Sequence, residues 1–313
     1  MRRTRWVYAF CILLCLLALE LFARASEDVE SADALFGWFF LDQYLNRQSL
    51  IAEGGLVEAH YELRVNERGF RDTKPWPPQS EQQGLRIVLG AAGHGYGENI
   101  TQSQIYPYLL ETALELEASC SVEVFNLSVQ GSTIVFFERA LLDEVLLVRP
   151  DVVILGYSGF NEALRSVVSD EHVVYPKRVL FNTVMGSALV RTLMMGIWSF
   201  GERAHRVGLK EYKESLRRIA KALKQNDIEL VLHQQVVVYP DIEGLWKLSD
   251  MTLFRKAQRE VAEDMSLSIT DPLPYCEPLQ SCFSRQEWYS VKGHRAAQKS
   301  LLQEREMFID LCE

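Results

Sequence analysis

The sequence predicts an α/β domain, a parallel sheet with helices on both faces, and three observations carry the prediction. Short continuous apolar runs of strand length recur along the chain. Segments with apolar residues at helical spacing separate them, and the first run breaks into a glycine-rich turn. That first run, Leu85–Leu89 in LRIVLGAAGHGYGEN, stops at a loop carrying Gly90, Gly93, Gly95 and Gly97. Ligands of open α/β sheets sit beyond the carboxyl ends of the strands, so this loop marks the expected site.

The remaining elements follow in alternation. A helix is expected over Tyr106–Glu117, and a second strand, Ser121–Leu127, ends in the polar loop Asn126–Thr133. Ile134–Val148 reads as helical, with Pro150 helping to end it. Asp151–Tyr157 (DVVILGY) is a third buried strand that ends in the loop Ser158–Glu162. Leu209–Lys224 places Tyr212, Leu216, Ile219 and Leu223 on one helical face. Ile228–Val238 is a fourth strand, Leu267–Thr270 a fifth, and a last helix is expected from Val291 to Ile309. Val179–Phe200 is strongly apolar but contains Asn182 and Arg191, and a membrane span would bury that arginine at a cost of about 3 kcal/mol. It reads as a helix lying over the strand ends or as an ordinary core helix.

Three parts of the chain are distinguished. Residues 1–25 hold Arg2, Arg3 and Arg5 before an apolar run from Trp6 to Leu19, the form of an export signal. Ala23-Arg24-Ala25 has the small-x-small form of a cleavage site, whereas Arg24 and the preceding Glu20 favour a retained membrane anchor; either places the body outside the cytoplasm. Residues 26–84 form an aromatic helical and extended segment packing on the core. Residues 85–313 form the α/β domain, with a lid-like insertion at about 165–208.

The 313 residues, 48% hydrophobic, suffice for one large core with appendages, and a net charge of −9 speaks against nucleic-acid binding. The six cysteines lack metal-ligand spacing, so neither a metal nor a cofactor is expected. Cys276 and Cys282 are either a disulfide, permitted by an exported location, or two buried thiols. The Gly90-x-x-Gly93-x-Gly95 pattern is superficially a phosphate loop. The acid that should end the second strand to hold a ribose is missing, since Asn126 and Ser128 stand there, and no Gly-Lys-Ser/Thr triplet is present.

The order of four blocks resembles the SGNH/GDSL hydrolase superfamily, in particular exported members with an N-terminal anchor and an Asn-x-x-Gly-Phe-Arg element before the first strand. That element is Asn66-Glu67-Arg68-Gly69-Phe70-Arg71, and the resemblance runs from about Tyr61 to the C-terminus. It implies a three-layer α/β/α sandwich with a five-stranded parallel sheet of flavodoxin-like order. The implied activity is hydrolysis or transfer of acyl groups, often acetyl esters on carbohydrates. Asn126-Leu127-Ser128-Val129-Gln130-Gly131 matches the second block, which makes Gly131 an oxyanion-hole residue. Gly159-Phe160-Asn161-Glu162 matches the third except for its final acid, which makes Asn161 the second donor.

The other two blocks depart from the pattern. The nucleophilic serine of the first block falls on Ala92 or Gly93, and no hydroxyl or thiol lies between Gly90 and Gly95. The Asp-x-x-His of the last block falls on Arg285 and Trp288. Indole cannot accept a proton from a hydroxyl, and guanidinium stays charged. His294, after Gly293, is expected to face away from the site.

These departures predict a protein without serine esterase activity: a binding or scaffolding module for acyl or carbohydrate ligands of the cell envelope, held to the membrane by its N-terminal segment. The alternative is an active esterase or O-acyltransferase with relocated groups, for which His94, Ser158 and His233 are the candidates. Ser158 lacks the Gly-x-Ser-x-Gly elbow, and buried structural roles compete for both histidines. Asp271 and Arg285 are noted as possible contacts for an anionic group, with solvated surface roles as the alternative.

Overall fold

The computed structural model describes residues 15, 18–20, 57–58, 61–62, 64–66, 68–76, 78, 84–97, 100–166, 169–170, 204–236, 247–285 and 288–312. Most of the N-terminal segment read as an export signal, the aromatic stretch at 26–56 and the apolar segment at 179–200 lie outside the described residues. Among the described residues no helix is long and apolar enough to cross a membrane.

Five strands form the central sheet: β1 (Gly84–Ala91), β2 (Ser121–Asn126), β3 (Val152–Gly156), β4 (Glu229–His233) and β5 (Ser268–Thr270). Their order is β2-β1-β3-β4-β5, and every pairing is parallel. The order reverses direction at β1, so the crevice between the carboxyl ends of β1 and β3 is the topological switch point.

The period-2 alternation of the strands divides their side chains between two cores. Val88, Phe125, Val153, Leu155, Leu230 and Leu232 pack on one face against α2 (Leu142–Val148), α3 (Leu209–Lys224) and α4 (Leu248–Met265). Leu85, Ile87, Leu89, Val122, Val124, Val152 and Ile154 pack on the other, against α1 (Tyr106–Glu115), α5 (Val291–Leu301) and α6 (Arg305–Asp310). This is the expected three-layer sandwich.

The differences from expectation have local causes. The helix expected over Ile134–Val148 contains a π turn, Phe137–Leu141, whose wider pitch turns both Phe137 and Leu141 inward. The last helix breaks at a tight turn, Leu302–Glu304, beyond which Phe308 reaches the core. Helix α4 was not read from the sequence at all. Its buried stripe of Met251, Phe254, Ala257, Gln258, Val261 and Ala262 includes small and polar residues that blur the apolar pattern.

Two disulfides join four of the five described cysteines, and Cys15 is free. Cys276–Cys282 closes a local loop, and Cys120–Cys312, which the sequence did not suggest, ties the chain end to the segment before β2.

Candidate functional site

The loop beyond β1 is a single helical turn, Gly93–Tyr96, entered through Ala92. The segment ahead of the sheet clamps it. Asn66 folds that segment by accepting from the Arg68 and Phe70 N–H groups at 3.1 Å each and donating to the Lys74 carbonyl at 3.0 Å. The turn buries Arg71, whose guanidinium donates to the carbonyls of Tyr96 (2.9 Å), Gly97 and Ile100. Asp72 accepts the Asn126 N–H at 3.0 Å, and the Asn126 side-chain amide donates to the Gly95 carbonyl at 3.1 Å. Burial raises the Asp72 carboxyl above its usual range, against the pull of Lys74. Two of the matched sequence blocks are thus fastened directly to the first.

Within the turn, Ala92 is buried against the core, while a Cβ placed on Gly93 would meet no atom of the described residues within 4 Å. Gly93 is therefore the position at the end of β1 whose side-chain direction is clear of the described residues, and it carries no side chain.

The loop after β2 lies against the same strand end. Val129 N–H donates to the Ala91 carbonyl at 3.0 Å, and the Ser132 hydroxyl meets the Val129 carbonyl at 2.6 Å and the Tyr157 hydroxyl at 3.1 Å. Asn161, on the turn Phe160–Ala163 beyond β3, donates its side-chain amide to the Ser132 carbonyl at 2.8 Å. Gly131 and Asn161 thus belong to loops that touch beside Ala91, and both loops need a glycine in the left-handed region, Gly131 at φ 65° and Gly159 at φ 111°. One Asn161 amide hydrogen is committed inside the protein.

A buried ionic network that the sequence did not reveal supports these loops. Arg206 pairs with Asp170 through two bonds of 3.2 and 3.0 Å, and both side chains are almost wholly buried. Arg206 also donates to the Gly131 carbonyl at 2.9 Å, and Asp170 accepts from the Thr133 hydroxyl at 2.7 Å. Glu162, at the variant position of the third block, accepts from the Ile134 N–H at 2.9 Å. Burial raises its carboxyl to about 7, more than that N–H and Arg206 lower it. The described residues on either side of positions 171–203 lie side by side: Asp170 N–H bonds the Arg206 carbonyl at 2.8 Å, and Arg165–Ser166 pairs with Ala204–His205.

The three relocated candidates do not form a catalytic pair. Ser158 is fully buried, and its hydroxyl accepts from the Gln235 N–H at 2.6 Å. His94 and His233 are buried on the α1/α5 side of the sheet, His94 against the Tyr289 ring and His233 with its Nδ1 2.8 Å from Thr270 Oγ1. His294 lies in the first turn of α5 and points inward, where its Nδ1 accepts from the Tyr106 N–H at 3.2 Å, because α5 must bury that face on α1. Arg285 and Trp288 pair across a short hairpin, Phe283–Arg285 with Trp288–Tyr289. Asp271 is bound by Arg255 at 2.7 Å, so its charge is already matched. Among the described residues no three His, Cys, Asp or Glu side chains are grouped to hold a metal ion.

No protein-family model and no curated protein matches this sequence. Solved structures do match. LAE5, an alpha/beta hydrolase enzyme from the metagenome of Lake Arreo, Spain, superposes with a TM-score of 0.50 at 16% identity, covering 73% of this chain and 98% of that one. A variant of an acetyl xylan esterase from Geobacillus stearothermophilus gives a TM-score of 0.50 at 14% identity, covering 71% and 95%. A structure described as a lipolytic protein of the G-D-S-L family, from Desulfitobacterium hafniense, gives 0.48 at 13% identity, covering 70% and 98%. At such identities the likeness concerns the fold, which is of the SGNH-hydrolase type.

Proposed function

We propose that this chain is an exported, membrane-tethered binding module that keeps the cleft of a hydrolase fold without its serine chemistry. Its ligand is an acyl or carbohydrate component of the cell envelope, presented to the Gly131 and Asn161 loops through a carbonyl or carboxylate oxygen. One observation carries the reading: at the carboxyl end of β1 the position whose side-chain direction is clear of the described residues is Gly93, which has no atom to attack with. Export is supported by the basic, apolar N-terminus and by two disulfides, which persist in oxidising compartments.

The alternative, an active esterase or O-acyltransferase, needs a nucleophile beside a base. The Ser158 hydroxyl meets Gln235 instead of a histidine, which weighs against it. Treatment of the purified chain with a fluorophosphonate probe and with p-nitrophenyl acetate tests the choice. The expected result is no labelled serine and no turnover above that of His94→Ala and Ser158→Ala variants. Acetylated xylo-oligosaccharides should raise the melting temperature while their deacetylated forms do not. A covalent acyl adduct on any side chain of the cleft would overturn the reading.

A further inference from the structure

Behind the β1 loop lies a buried set of histidines that the proposed binding role does not use. His94 in the Gly93–Tyr96 turn, His233 at the end of β4 and His294 in α5 are all within 5% of full burial. Two tyrosines join them: the Tyr289 ring lies 5.4 Å from His94 and 5.7 Å from His294, and the Tyr106 ring lies 5.8 Å from His294 and 5.4 Å from His233. Nε2 of each histidine and the Tyr106 hydroxyl have no hydrogen-bond partner among the described residues.

The surroundings are hostile to a proton. Arg71, from the segment before β1, faces His294; Arg255, from α4, faces His233; and His94 faces the other two histidines. The groups contributed by α1 and by the hairpin before α5, Tyr106 and Tyr289, are phenols that burial keeps protonated. The acid next to β5, Asp271, is bonded to Arg255. His294 has a further constraint. Its Nδ1 accepts the Tyr106 N–H, so the single imidazole proton sits on Nε2, and a second proton on Nδ1 must break that bond. Tyr106 opens α1, where the helix dipole also disfavours a cation.

We propose that this cluster is an acid-released latch, in which protonation of His294 breaks its bond to Tyr106 and frees the start of α1 together with the Gly93–Tyr96 turn. The turn is one wall of the candidate cleft, so the cleft is intact at neutral pH and dismantled in acid, whichever ligand it takes. Opening is a local event that precedes unfolding of the sheet. Its equilibrium constant rises up to about tenfold per pH unit for each histidine that gains a proton on opening.

Hydrogen exchange of the full chain, labelled between about pH 7.5 and about pH 4.5 and corrected for intrinsic rates, reads this directly. Residues 93–97 and 105–110 should lose protection reversibly as pH falls below about 6.5, the ordinary histidine value, while 152–156 stays protected. His294→Gln keeps an acceptor for the Tyr106 N–H but cannot titrate, and should reduce the pH slope of opening by about one proton. Loss of protection at 93–97 only together with 152–156, or an unchanged slope in the variant, would overturn the proposal. Should the variant not fold, the ring signals of His94, His233 and His294 in the unmodified chain decide. They should stay in the neutral form until the turn opens, and ordinary titration near pH 6.5 with protection intact excludes the latch.

Discussion

Gly90 and Gly93, three residues apart, have opposite reasons to be glycine. A Cβ on Gly90 would press into the Phe137 ring, 2.7 Å from Cδ2, deep between β1 and the π turn. One on Gly93 would touch none of the described residues. Gly90→Ala should therefore cost about 1–3 kcal/mol through overpacking. Gly93→Ser should change stability by no more than about 0.5 kcal/mol, as at an ordinary surface position. Urea midpoints check both. The grafted hydroxyl should remain unreactive to fluorophosphonate, because the position where the resemblance to SGNH hydrolases expects the base histidine holds Trp288, whose indole accepts no proton. Strong labelling of Gly93→Ser would show that a base is already in place, and with it a catalytic past closer than the sequence implies. That Gly93 carries no attacking atom was legible in the sequence; its clearance from the described residues was not, since that depends on where other loops run.

At the scale of elements, legibility followed the strength of local patterning. The strands of the sheet are short, mostly apolar runs; four were read to within two residues of their observed ends, whereas the fourth, read as Ile228–Val238, ends at His233, and α3 was read to the residue because its stripe is regular and its other face charged. Helix α4 escaped because Ala257 and Gln258 occupy buried positions that carry no apolar signal. The site followed the same rule. Gly131 and Asn161 sit in short blocks that can be picked out in the sequence, whereas Arg206 and Asp170 lie 36 residues apart and meet only in space. Their pair holds the Gly131 carbonyl and, through Thr133, the start of the following helix. Removing one partner strands a buried charge, so Asp170→Leu should cost about 3–5 kcal/mol. Arg206→Met with Asp170→Leu should cost much less than the sum of the single losses, as a double-mutant cycle of denaturant melts would show. Additive losses would mean that the two side chains act independently, and that the loop geometry does not depend on the ion pair.

At the scale of the molecule, two sets of buried groups pull stability in opposite directions as pH changes. Burial holds His233 and His294 at about 3 and His94 well below its ordinary value of 6.5, so between those limits the unfolded chain binds protons that the folded chain refuses. Their contribution is complete above pH 6.5 and is lost as pH falls, at up to about 1.4 kcal/mol per pH unit for each histidine. Glu162 behaves in the reverse sense. Its folded carboxyl keeps a proton to about 7 against an ordinary 4.5, so its contribution is complete below 4.5 and is lost as pH rises to 7. Between 4.5 and 6.5 these three histidines outweigh Glu162 and their joint contribution rises; above 6.5 the Glu162 component alone of the four still falls, to pH 7. The joint contribution of the four groups is therefore greatest near pH 6.5. Glu162→Gln retains an acceptor for the Ile134 N–H and removes the falling component alone. Its melts should coincide with those of the unmodified chain near pH 4.5 and exceed them increasingly up to pH 7, by about 3 kcal/mol at most. A constant difference across that range would mean that Glu162 is already ionised in the folded protein, with Arg206 outweighing its burial.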